Sequence, residues 1–198
     1  MTNTALIVID MQVGSFTPRS SRHDAAGLVE RLNRLVSQTR ERAGLVLFVQ
    51  HDGPPGDPHH PSGKGWHLLP ELVVRDSDVI VRKKSCDSFL DTDLERVLRD
   101  ADIRDVIITG CATDYCVDTT VRSALAKGYK TTTPSDGHTT STSRPHLSAE
   151  TDHRPPQRGL GRFPVARRRR PRLPLRRGFP LNRGQHGPRK RSGIMVAV

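Results

Sequence analysis

A parallel α/β domain is the fold class this sequence predicts, and three observations predict it. Short β-rich apolar runs alternate with segments of helical periodicity. The side chains that carry chemistry fall at the ends of those runs, where open α/β sheets place their sites. The chain has 198 residues, enough for one well-buried domain and too few for two ordinary ones. One three-layer domain is expected over residues 1–150.

The elements follow in order. Thr4 to Asp10, TALIVID, is a continuous apolar run rich in β-branched residues, as a strand buried on both faces reads. Asp24 can cap the next helix, whose Leu28, Leu32 and Leu35 recur at helical spacing and which Gly44 closes. GLVLFVQ (Gly44 to Gln50) reads as the second strand and DVIVR (Asp78 to Arg82) as the third. A helix from about Thr92 to Ala101 leads to a fourth strand, DVIITG (Asp105 to Gly110). After a turn comes a helix with Val117, Val121, Ala124 and Leu125 on one face, stopping at Gly128, so that Cys116 sits near its N-terminus. Between the second and third strands, Asp52 to Lys64 is dense in Pro, Gly and His, a loop composition suited to the wall of a substrate pocket.

The overall charge misleads. A net charge of +11 with 34% hydrophobic residues suggests a nucleic-acid binder or a partly disordered chain. From Asp152 onward, however, there are 14 basic residues and one acidic one, which leaves the first 151 residues slightly acidic. Cys86, Cys111 and Cys116 make neither an even disulfide framework nor a CxxC pair, and no Cys/His spacing suggests zinc. The N-terminal residues lack a charged n-region with a long apolar core, and nowhere do about 18 apolar residues run together. A cytoplasmic protein with no membrane span is expected.

Three reactive side chains fall at strand ends: Asp10 after the first, Lys83 after the third, and Cys116 after the fourth. A thiol near a helix N-terminus and an ammonium is biased toward thiolate, and Asp10 can take its proton. Nucleophile, base and cation are the parts of acyl transfer through a thioester. Cys116 alone would more often be a small buried hydrophobe, and Asp10 a turn cap; their joint occurrence changes the balance.

ALIVIDMQ (Ala5 to Gln12), KKSCDSF (Lys83 to Phe89) and TGCATDYCVDTT (Thr109 to Thr120) resemble, in order and spacing, the three signature segments of isochorismatase-like cysteine hydrolases. The resemblance implies a three-layer α/β/α fold with a parallel, Rossmann-like sheet of five or six strands. It implies Asp10, Lys83 and Cys116 as catalytic residues, with Lys83 chosen over Lys84 by its six-residue offset to Phe89. It also implies a cis peptide at Cys111–Ala112 and an oxyanion hole from the N–H groups of Ala112 and Cys116. Gln12, Phe16, Trp66 and Phe89 lie in segments that line the pocket in such enzymes. The implied substrate is a small-molecule amide, the implied assembly a homodimer or homotetramer, and no cofactor is implied. Related nicotinamidases bind a metal near the position of His51, Asp52, His59 and His60; the spacing here departs from theirs, and no metal is expected. Cys86 and Cys111 read as structural thiols.

Residues 151–198 form a basic Arg/Pro/Gly-rich tail, a composition that fits neither helix nor strand. Family members usually continue past the DGHTT segment (Asp136 to Thr140) with a helix. Suitable GC-rich codons for Thr151 to Pro164, read one base later, spell QIIAHHNAVWADF, whose apolar residues fall largely in helical register. A reading-frame slip is therefore the favoured explanation, and an inactive or destabilised homologue is one consequence. The alternative is a genuine basic arm in which RRRR (Arg167 to Arg170) and RKR (Arg189 to Arg191) contact nucleic-acid phosphates.

Overall fold

The computed structural model describes residues 3–18 and 21–142; the expectations for the 151–198 tail, and the boundary at residue 150, lie outside the described residues. Five strands run in the order β3-β2-β1-β4-β5, with a short β6 pairing the end of β4, and every pairing is parallel. The strands are β1 (Thr4–Ile9), β2 (Leu45–His51), β3 (Val79–Lys83), β4 (Asp105–Cys111), β5 (Lys130–Thr132) and β6 (His138–Thr139). Parallel neighbours need crossovers. The helices α1 (Ala25–Glu41), α2 (Leu94–Asp100) and α3 (Asp118–Ala126) supply three of them. Among the described residues no helix is long and apolar enough to cross a membrane.

The layers follow from the two-residue period of β1. Ala5, Ile7 and Ile9 join one buried cluster with Leu94 and Leu98 of α2 and Val121 and Ala124 of α3. Leu6 and Val8 join the other, with Leu28, Val29, Leu32 and Val36 of α1. β1 is thus covered on both sides, as its unbroken apolar run predicts.

Two local expectations are refined. Asp24 stands at the N-terminal cap of α1 in a left-handed conformation, at φ 43, and its carboxylate pairs with Arg31 at 2.8 Å. The end of α1 turns through Ala43, at φ 54. Gly44 follows, its N–H donating to the Thr39 carbonyl at 2.8 Å, so the left-handed residue is the alanine.

Strand order places the site. From β1 the chain moves outward through β2 and β3, then returns to the far side of β1 with β4 and β5. β1 and β4 therefore flank the switch point, where the connections diverge and leave a crevice at the carboxyl ends. Gly110 makes the close approach of these strands possible. Its φ is +111, and a Cβ there would lie 2.1 Å from the Ile9 carbonyl oxygen, which excludes any L side chain.

Candidate active site

Asp10 leaves β1 at φ 50, a left-handed conformation uncommon for a residue with a side chain. Its N–H is held by the Val49 carbonyl at 2.9 Å. Cys116 follows β4 after a cis peptide at Cys111–Ala112. It lies in a π-helical turn, Thr113–Val117, directly before α3. In that turn the N–H groups of both Tyr115 and Val117 donate to the Ala112 carbonyl. Such wide turns are frequent at functional sites.

Lys83 has further to reach. β3 is two strands away from β1, about 10 Å at the usual interstrand spacing, a gap that suits the longest flexible cation. Strand alternation settles which lysine goes inward: Val81 and Lys83 are buried, whereas Arg82 and Lys84 are exposed.

The three groups meet. The Lys83 ammonium lies 2.8 Å from Asp10 Oδ2 and donates to Cys116 Sγ at 3.3 Å and to the Ser85 carbonyl at 2.9 Å. The lysine side chain is fully buried and that of Asp10 nearly so; a charge so deep in the protein persists only when paired. Burial alone would lower the pKa of Lys83, but the Asp10 carboxylate and the Cys116 sulfur outweigh it and hold it above the usual value. Asp10 Oδ1 is buried and has no hydrogen-bond partner among the described residues. The Cys116 thiol is also within hydrogen-bonding reach of the Asp10 carboxylate.

Cys116 departs from the sequence-based expectation of a resting thiolate. Burial first, and the Asp10 charge second, push its pKa well above the ordinary thiol value, with Lys83 acting in the opposite sense. Cys111 is buried more completely, and burial pushes it up to about 12.

A cavity of about 1210 Å³ opens at the ends of β2 and β3, walled by Asp52, Pro54 and His60 on one side and by Arg82, Lys83, Lys84 and Leu90 on the other. Arg82 pairs with Asp52 at 2.8 Å and lies over the Trp66 ring, whose Nε1 donates to the same carboxylate. This fixes one wall.

The remaining pocket residues expected from the sequence are placed differently. Gln12 is fully buried, its amide nitrogen donating to the carbonyls of His51 and Trp66 and its oxygen accepting from the His51 N–H. Phe16 packs among Met11, Leu28 and Phe48 in the α1-side core. Phe89 is buried on the other side, stacked on Tyr129. The histidines of the 52–64 loop have local partners: His59 bridges Asp57 at 3.0 Å and Ser15 at 2.8 Å, and His60 meets Ser62. Among the described residues no group of three or more His, Cys, Asp or Glu could hold a metal ion.

Sequence reasoning missed the bracing around the site. Gln12 ties the end of β1 to the 52–66 loop, and Thr120 of α3 bonds Ser88 behind Lys83. Both lie inside the signature segments, and nothing in their spacing marks them as braces.

Residues 4–154 match the isochorismatase domain. The chain is 32% identical over 136 residues to a streptothricin hydrolase of Streptomyces noursei, covering 69% of this chain and 54% of that protein. It therefore spans about half the length of that relative. It is 28% identical over 163 residues to the ureidoacrylate amidohydrolase RutB of Klebsiella pneumoniae, covering 64% of this chain and 69% of that protein. In three dimensions it resembles the crystal structure of a cysteine hydrolase from Pseudomonas syringae pv. phaseolicola, with a TM-score of 0.70 at 25% identity, covering 80% of this chain and 84% of that one.

Proposed function

Since the chain belongs to the isochorismatase family, we propose that it hydrolyses the C–N bond of a small-molecule amide, with Cys116 as nucleophile, Asp10 as proton carrier and Lys83 as the stabilising cation. One observation carries this reading: a single buried ammonium contacts both a carboxylate and a thiol at the sheet's switch point. The names of the relatives, a streptothricin hydrolase and a ureidoacrylate amidohydrolase, support the amide class.

The steps follow from the placement of the three groups. As Cys116 Sγ attacks the carbonyl carbon, Asp10 takes the thiol proton, so the sulfur becomes an anion only as it bonds. The Ala112 and Cys116 N–H groups are assigned to the carbonyl oxygen as it gains charge. Collapse of the tetrahedral adduct breaks the C–N bond, and Asp10 returns its proton to the departing amine. Water then attacks the thioester, with Asp10 as base, releasing the acid and restoring the thiol. Lys83 stays paired with the Asp10 carboxylate between these transfers. Arg82, held by Asp52 and Trp66, shapes the pocket wall, while Gln12, Phe16 and Phe89 support its frame from within.

The test is a panel of primary amides, ureides and lactams assayed for ammonia or amine release. At least one member is expected to turn over, with Cys116→Ser reducing kcat by about 10³-fold or more. Turnover that Cys116→Ser leaves unchanged rejects the reading.

A further inference from the structure

We infer that Thr120 and Ser88 form a positioning clasp that sets the separation between the Lys83 ammonium and the Cys116 sulfur, an inference that rests on the catalytic reading above. Both residues are fully buried. The Thr120 hydroxyl donates to Ser88 Oγ at 2.9 Å, and its oxygen accepts from the Ser88 N–H at 3.1 Å. The Ser88 carbonyl accepts in turn from the Thr92 hydroxyl at 2.6 Å. Around them the setting is apolar, with Phe89, Leu94, Val117 and Val121 in one core cluster. A hydroxyl pair buried there gives up its hydration and regains little beyond it. The hydroxyl pair adds little net stability beyond satisfying the Ser88 N–H, and what it supplies besides is directional.

The clasp joins the two segments that carry the reacting groups. Thr120 lies four residues after Cys116, about one helical turn further on. Ser88 lies five residues after Lys83, on a stretch whose Ser85 carbonyl accepts from the Lys83 ammonium at 2.9 Å. The Cys86 carbonyl, between them, lies 3.5 Å from the Thr120 hydroxyl. The strand end bearing the cation is thus fastened to the helix bearing the sulfur, one turn from where the two groups meet at 3.3 Å. A lysine has four rotatable bonds and swings freely unless its base is held. Packing of Phe89 tolerates small slips, whereas a paired hydroxyl and amide set both distance and angle.

Thr120→Val keeps the side-chain shape and removes both bonds. Two readouts apply: the rate of Cys116 alkylation by iodoacetamide, followed by peptide mass spectrometry from about pH 6 to about pH 10, and the split between kcat and KM for an amide found by the panel. With the ammonium no longer held beside the sulfur, the alkylation rate is expected to fall about tenfold at each pH, and kcat about tenfold with KM changed less than about twofold. Thr120→Ser is expected to restore both. Val121→Ala, which removes buried volume but no hydroxyl, is expected to lower the melting temperature and leave the alkylation profile in place. If Thr120→Val does not fold, Ser88→Ala provides the same readouts with a smaller change, about threefold, because the main-chain bond to Thr120 remains. An alkylation profile unmoved in the folded variants, with only the melting temperature lowered, overturns the clasp. Alkylation reads the thiol without turnover, so a failure of the hydrolase reading and a failure of the clasp are told apart.

Discussion

At Cys116 two opposing influences act on one sulfur. Burial and the Asp10 carboxylate favour the thiol, while Lys83 favours the thiolate, and the first two prevail. In the proposed mechanism Asp10, as proton acceptor, activates the nucleophile. Lys83 matters because its ammonium contacts both the carboxylate and the sulfur. Lys83→Met keeps much of the side-chain volume and removes the charge. It is expected to lower kcat by about 10²- to 10³-fold, with a stability loss of about 3 kcal/mol from unpairing the buried carboxylate, measured as kinetics beside thermal melting. A variant with near-normal kcat would remove the lysine from the mechanism. That Asp10, Lys83 and Cys116 come together was legible from reactive residue types at strand ends together with the resemblance of the three segments, whose six-residue offset to Phe89 selected Lys83. The ionisation of Cys116 was not, since it depends on how deeply the thiol is buried, which residue order does not encode. Phe16 and Phe89 illustrate the same limit: an aromatic residue in a signature segment looks alike whether it lines a pocket or fills a core.

The secondary-structure elements determine where these groups can meet. β1 and β4 approach so closely that only Gly110 fits opposite Ile9, and Asp10 follows Ile9 directly. Gly110→Ala is expected to push the strands apart and strain the φ of residue 110, destabilising the fold by about 2 kcal/mol or more. Chemical denaturation measures this, and a variant as stable as wild type would show that the strands tolerate a wider spacing. β1 to β4, and the three helices, were legible from apolar runs and helical periodicity. β5 and β6 were not identified individually: at three and two residues they carry too little pattern. The π-helical turn before α3 had no sequence signal either, as its register shows only when the Ala112 carbonyl is seen to accept from Val117. Gln12 belongs at this scale too, because its buried amide bonds link β1 to the loop that carries Trp66.

Across the whole molecule, charge and burial set the response to pH. The folded-state pKa values of Cys111, Cys116 and Lys83 are all raised, so the folded protein holds these protons more tightly than the unfolded chain. Their contribution is complete below the ordinary thiol value of 9.0 and is lost as pH rises above it, by up to about 1.4 kcal/mol per pH unit for each thiol. The melting temperature is therefore expected to decline from about pH 9 upward, with a shallower slope in Cys111→Ala; an unchanged slope would contradict the burial of that thiol. The sequence also separated an acidic domain from a basic tail, and the domain match ends at residue 154, before the arginine run at Arg167–Arg170. In the proposed reaction a covalent bond forms at the Cys116 sulfur. Its most direct measurement is mass spectrometry of protein quenched in acid during turnover of an amide. The peptide containing Cys116 should carry the acyl group, and neutral hydroxylamine should remove it. An acyl group found on another residue would contradict the account.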